Sequence, residues 1–101
     1  MKTSWDPAAK ESLRQIARYI NTNFGHEARR HFIQLVQETE NNLKRNPNIG
    51  FVDPLFANRC LTYRSVIING LSKLVYYTEG DTIYIAAFWD TRKEPEKQNN
   101  L

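Results

Sequence analysis

Residues 60–92, CLTYRSVIINGLSKLVYYTEGDTIYIAAFWDTR, hold two turn signals between runs rich in β-branched and aromatic residues. Asn69-Gly70 is the pair a type I′ turn demands, because both central residues need φ > 0, which glycine takes freely and asparagine tolerates. Glu79-Gly80-Asp81 supplies a second reversal, so the stretch reads as three antiparallel strands in a meander. A two-residue loop also sets the register, and with it the face on which each side chain falls. Pairing Ile68 with Leu71 gathers Arg64, Val66, Ile68, Leu71, Lys73, Val75 and Tyr77 on one face, to which the second turn adds Tyr84, Ala86, Phe88 and Asp90. Leu61, Tyr63, Ser65, Ile67, Ser72, Leu74, Tyr76, Ile83, Ile85, Ala87 and Trp89 fall on the other, which reads as the core face. Arg92 follows the third strand with the parity of Phe88 and Asp90. The first face would therefore collect three cations, Arg64, Lys73 and Arg92, and is the expected site.

Working outward, the rest of the chain reads as a brace for this sheet. Lys2-Thr3-Ser4-Trp5 is a short first strand. Asp6-Pro7 opens a helix with a capping side chain followed by a proline at the first helical position, where its missing N–H costs nothing. Ala9, Leu13, Ile16, Ala17 and Ile20 then recur at helical spacing, so the first helix spans roughly 7–23. After Gly25, a second helix carries Ala28, Phe32, Leu35, Val36, Thr39 and Leu43 on one stripe. Lys44 and Arg45 complement the dipole in its last turn, and Asn46-Pro47 stops it. Two amphipathic helices joined by a short link make an antiparallel hairpin whose stripes need a sheet face to cover. The expected fold is α+β: an N-terminal strand, a helical hairpin, and an antiparallel meander, in the order β-α-α-β-β-β. Residues 46–59 form a connection long enough to hide a single helical turn. Its apolar residues Phe51, Val52, Leu55 and Phe56 are expected to plug one end of the core, the alternative being an exposed patch for a partner.

At 101 residues the chain is one domain, 1–101, with a polar, frayed tail over 93–101. No apolar run approaches the roughly 18 residues of a membrane span, and the opening MKTSWDPAAK lacks the apolar segment of a secretory signal. The single cysteine, Cys60, has no internal partner and no Cys/His cluster has zinc spacing, so neither a metal nor another cofactor is expected and a cytoplasmic location is. The net charge of +3 lies in residues 1–49, with eight Lys/Arg against five acids, whereas residues 50–101 carry six of each. That balance gives little support to an extended phosphate-tracking trough on the sheet.

The usual chemical constellations are missing from the sequence. His26 and His31 are five apart, about 140° around a helix, and do not share a face for metal binding. No Ser/His/Asp order, glycine-rich phosphate loop or paired-carboxylate pattern stands out. Cleavage of RNA through its 2′-hydroxyl would need a base, cations for the charge developing on phosphorus, and an acid for the leaving oxygen. Arg64 and Arg92 could serve only as cations. Lys73 could act as base only in its neutral form, leaving Asp90 or a tyrosine as the acid.

The residues also resemble the RelE/ParE superfamily, toxins of bacterial type II toxin–antitoxin modules, some described as plasmid-stabilisation proteins. The resemblance runs through Trp5-Asp6-Pro7 with Ala9 and Leu13, Phe24-Gly25, Ala28 and Phe32, Asn46-Pro47 and Gly50, Tyr63-Arg64, Lys73-Leu74-Val75-Tyr76, Gly80-Asp81 with Ile83 and Ile85, and Trp89-Asp90 with Arg92 and Pro95. It implies a strand, a helical hairpin and a meander, and one of two activities. RelE-like members cut messenger RNA on the ribosome, without a metal, and ParE-like members poison DNA gyrase. For the ribonuclease, the resemblance assigns catalysis to Arg64, Lys73 and Arg92. It also expects a basic residue where Val66 stands, a tyrosine near Gln98, and in many relatives a histidine at Asp90. These departures favour a ParE-like, growth-inhibiting toxin over the ribonuclease, with a non-toxic binding module as a third reading. The implied partner is an antitoxin whose disordered segment folds along the toxin, meeting Arg64, Val66, Ile68, Val75, Tyr77, Phe88 and Asp90. No membrane is implied, and a homodimer stays open.

Overall fold

The computed structural model describes residues 1–91. The expectations for Arg92 and for a frayed tail over 93–101 lie outside the described residues. Strand β1 (Lys2–Trp5) leads into helix α1 (Pro7–Phe24) and helix α2 (His26–Arg45). A two-residue strand β2 (Phe51–Val52) and a single 3-10 turn (Pro54–Phe56) follow, then β3 (Arg64–Ile68), β4 (Ser72–Glu79) and β5 (Thr82–Asp90). The strands form one sheet in the order β1-β5-β4-β3-β2, in which β1 runs parallel to β5 and the other pairs are antiparallel. The helical turn expected within residues 46–59 is the 3-10 turn. The short edge strand β2 was not expected.

Asp6 caps α1 by accepting the Ala8 N–H at 2.9 Å, and Pro7 takes the position after it. Gly25 separates the helices at φ 98°, a backbone state that side chains beyond hydrogen resist. Both helices lie on one face of the sheet. Ala9, Ala17, Phe32, Val36 and Leu43 pack there against Ile68, Leu74, Tyr76, Ile83, Ile85 and Phe88. Each large side chain buried this way contributes about 1.5–3 kcal/mol. Phe88 lies centrally, 6.1 Å from both the Trp5 and the Phe32 ring. A second cluster of Phe56, Val75 and Ala87, flanked by Tyr63 and Trp89, occupies the opposite face. Among the described residues, no helix is long and apolar enough to cross a membrane.

Two single-residue shifts separate this sheet from the register read in the sequence. Asn69 and Gly70 do take positive φ, 56° and 70°, but Ile68 pairs with Ser72 rather than Leu71. Leu71 stays outside the β3–β4 ladder: its N–H donates across the turn to the Ile68 carbonyl at 3.3 Å, and its carbonyl accepts the Thr91 backbone N–H at 2.8 Å and the Thr91 hydroxyl at 3.1 Å. Shifting β3 by one residue turns Arg64, Val66 and Ile68 toward the helices, and Tyr63, Ser65 and Ile67 away from them. The second shift is a β-bulge. Val75 pairs with Ala87 and Tyr76 with Ile85, which leaves Ala86 without a partner and reverses the parity of everything after it. Phe88 and Asp90 thereby move to the helix side, and Ala87 and Trp89 to the open side. Lys73, Val75, Tyr77 and Tyr84 fall on the open face as the sequence indicated.

Candidate functional site

The expected grouping of Arg64 and Lys73 on one face does not form. Neighbours on β3 and β4 pair Arg64 with Tyr76 and Lys73 with Ile67, so the two cations leave the sheet in opposite directions. Each is engaged with the 46–56 connection, which wraps the edge of the sheet and meets Arg64 on one side and Lys73 on the other.

On the open side, Lys73 is 3% exposed and its Nζ lies 2.7 Å from Asp53 Oδ2, with Asp53 itself 2% exposed. The same carboxylate oxygen accepts the Ser65 hydroxyl at 2.7 Å, and Oδ1 accepts the Leu55 N–H at 3.0 Å. Asp53 precedes Pro54 as Asp6 precedes Pro7, and in both places the aspartate caps the helical turn it opens. Burial alone would push the Asp53 carboxyl up. The hydrogen bonds from Lys73, Ser65 and Leu55, with the Lys73 charge, outweigh it and hold the group below its ordinary value of 3.8. The buried Phe56 and its flanking rings lie on this same face.

On the helix side, Arg64 is half-buried and its Nη1 donates to the Gly50 carbonyl at 2.9 Å. Tyr76, fully buried, donates its hydroxyl to the Pro47 carbonyl at 2.7 Å and accepts the Gly50 N–H at 3.0 Å. Burial pushes the Tyr76 phenol up, while the Gly50 N–H and the Arg64 charge pull it down by less. A Cβ at Gly50 would stand 2.8 Å from the Ser65 carbonyl and from the Tyr76 ring and hydroxyl, so only glycine fits this crossing. Arg64 and Tyr76 together pin the connection that ends α2.

The open face carries a run of aromatic rings. Phe56 stacks between Tyr63 at 5.1 Å and Trp89 at 6.4 Å. Tyr63 meets Tyr77 edge-on at 5.3 Å, and Tyr77 stacks on its cross-strand partner Tyr84 at 5.2 Å. Of the residues expected to meet a partner, Ile68, Val75 and Phe88 are at most 3% exposed and lie within the core, so they offer no surface. Val66, which also packs against the helix-side core, Arg64 and Asp90 keep partial exposure on that side, and Tyr77 keeps it on the open side. The apolar connection splits likewise. Phe56 plugs the open-side cluster, whereas Phe51, Val52 and Leu55 are 49%, 56% and 41% exposed. Asp53, Ser65 and the Tyr63–Tyr77–Tyr84 row were missed in the sequence. The Asp53-Pro54 pair did signal a capped turn, but nothing local marks its carboxylate as the partner of Lys73, 20 residues away. Among the described residues, no group of three or more His, Cys, Asp or Glu could hold a metal ion.

A helical hairpin on one face of a five-stranded mixed sheet makes this chain a small α+β domain. A chain from a solved structure described as the chromosomal ParDE TA system from P. aeruginosa shares the fold. The two superpose with a TM-score of 0.71 over 89% of this chain and 95% of that one, at 19% sequence identity. The family model for the ParE toxin of the type II toxin–antitoxin system, parDE, matches residues 3–95, and the chain belongs to that family. No curated protein matches its sequence.

Proposed function

We propose that this protein is the toxin of a bacterial two-component module and that it arrests growth by binding DNA gyrase in the cytoplasm rather than by cutting RNA. The observation that carries this reading is the commitment of Lys73. The residue a ribonuclease would need beside Arg64 is buried against Asp53 at 2.7 Å, on the other side of the sheet. A base for the 2′-hydroxyl and a cation for the phosphate are not brought together by β3 and β4. Purified protein added to gyrase is expected to stop supercoiling while leaving message on translating ribosomes intact. Message cut on ribosomes, with cutting abolished by Arg64→Ala, would overturn this reading in favour of the ribonuclease. Normal growth on induction of the gene alone would favour a binding module without toxicity.

The partner that silences such a toxin is an antitoxin segment. The surface that suits it lies between the end of α1 and the β3–β4 turn, a hollow of about 350 Å³ with Tyr19, Phe24, Leu71 and Asp90 in its lining. Tyr19, Phe24 and Leu71 are 54%, 69% and 50% exposed, an apolar surface open to a folding segment.

A further inference from the structure

We infer that the open face holds a recognition pocket for a single arginine side chain of a partner protein, walled by Tyr63, Tyr77 and Tyr84 and closed at its rim by the Asp6 carboxylate. The inference stands whichever target the toxin has, because it rests on the pocket alone.

The β-bulge builds the pocket. Tyr77 and Tyr84 face each other across β4 and β5 with rings 5.2 Å apart, and Tyr63 stands against Tyr77 at an interplanar angle of 63°. The rings thus form a corner rather than a flat platform. The unpaired residue of the bulge, Ala86, lines the same hollow as Tyr84, and its small side chain leaves space that a larger one would fill. Ser4 of β1 and Asp6 at the start of α1 complete the wall, and no lining residue is cationic. All three tyrosines are half-buried, so their rings are partly desolvated yet reachable.

Size and charge select the occupant. The hollow measures about 210 Å³, less than the roughly 300–1,000 Å³ of sites that enclose drug-sized ligands. It suits one side chain better than a nucleotide. Aromatic walls attract a cation through the negative charge of their faces, and a planar guanidinium both stacks and keeps its N–H groups for a carboxylate. The local field has the matching sign. Burial pushes the Tyr77 phenol up, and Tyr63, Glu79, Tyr84 and Asp6 push it further; at neutral pH the negative charges among these are Glu79 and Asp6. A phosphate backbone would meet the same field as repulsion, which argues against single-stranded RNA on these rings despite their aromatic character.

The test titrates the intact protein with N-acetyl-arginine amide and, separately, with its neutral isostere N-acetyl-citrulline amide, following the tyrosine ring resonances by NMR. The arginine derivative is expected to move the Tyr63, Tyr77 and Tyr84 signals saturably, about tenfold more tightly than the citrulline derivative. Asp6→Asn combined with Glu79→Gln should remove most of that preference. Both positions are exposed, and asparagine keeps the helix cap, so this variant is expected to fold. Ala86→Leu should abolish binding by filling the hollow. Equal binding of the two probes would overturn the proposal. So would arginine shifts confined to other residues, or oligouridine moving the same signals more tightly than arginine does.

Discussion

At the scale of single residues, the Asp53–Lys73 pair couples the connection after α2 to the middle of the sheet. Two buried ions gain little over an apolar pair, but removing one strands the other, at a cost of about 3–5 kcal/mol. Lys73→Met is therefore expected to lower stability by about that amount in urea unfolding. The double variant Asp53→Asn/Lys73→Met should lose clearly less than the two single losses together, because asparagine still accepts the Leu55 N–H on its Oδ1, its Nδ2 can donate to the Ser65 hydroxyl, and no buried ion is left alone. Additive losses would show that the two side chains do not act as a pair. The pair also sets an acid limit. Asp53 titrates below 3.8 in the folded chain, so its stabilisation is complete above the unfolded value and fades as pH falls through the folded one. The stability gap between the natural protein and Asp53→Asn should accordingly hold steady above about pH 5 and narrow as pH falls below the unfolded value, and a constant gap would deny the carboxylate this role.

At the scale of elements, the sequence showed every helix and the three strands of the meander, because each is announced locally. Asp6-Pro7 starts a helix, Asn46-Pro47 ends one, and Asn69-Gly70 and Gly80-Asp81 reverse the chain. What it did not show were two extra residues, Leu71 in the first turn and Ala86 in the bulge. The fate of Leu71 depends on Thr91, 20 residues on, and a bulge leaves alternation intact on either side of itself. The first slip turns all of β3 to the other face and the second turns the far half of β5, which is why the helices and the meander came out right and the grouping of Arg64 with Lys73 did not. The two positions should respond alike to deletion. Removing Leu71 leaves Ile68 and Ser72 flanking a two-residue Asn-Gly turn in their present register, so the shortened chain is expected to fold with a modest loss in Tm. Removing Ala86 leaves Ile85 next to Ala87, so the Tyr76–Ile85 and Val75–Ala87 pairs become consecutive rungs of a regular ladder with Ile83, Ile85 and Phe88 still on the core side. That chain is expected to keep its near-ultraviolet circular dichroism, and lost packing in it would mean the bulge does more than absorb one residue.

At the scale of the whole molecule, the basic residues among those described concentrate on the helices, while the tyrosine pocket of the sheet is flanked by acids. The helices carry Lys10, Arg14, Arg18, Arg29, Arg30, Lys44 and Arg45, all exposed, whereas the aromatic pocket on the open face has Asp6 at its rim and Glu79 in its field. Arg14, Arg18 and Arg29 share a shallow hollow between α1 and α2, so among the described residues a cluster of positive charge lies behind the sheet. A protein that tracks RNA over its sheet would have the opposite layout, since neutralising phosphates with Lys and Arg dominates such affinity. Retention on heparin resolves the two layouts. Replacing Arg18 and Arg29 by glutamate should move elution to markedly lower salt, because it reverses the sign of the helix-side field. Tyr77→Leu, which removes a ring from the open face without changing charge, should leave elution where it was. If Tyr77→Leu instead weakened retention as much as the charge reversal, the polyanion would have to be lying across the tyrosines. The case against an RNA substrate, and with it the preference for a protein target, would then fail.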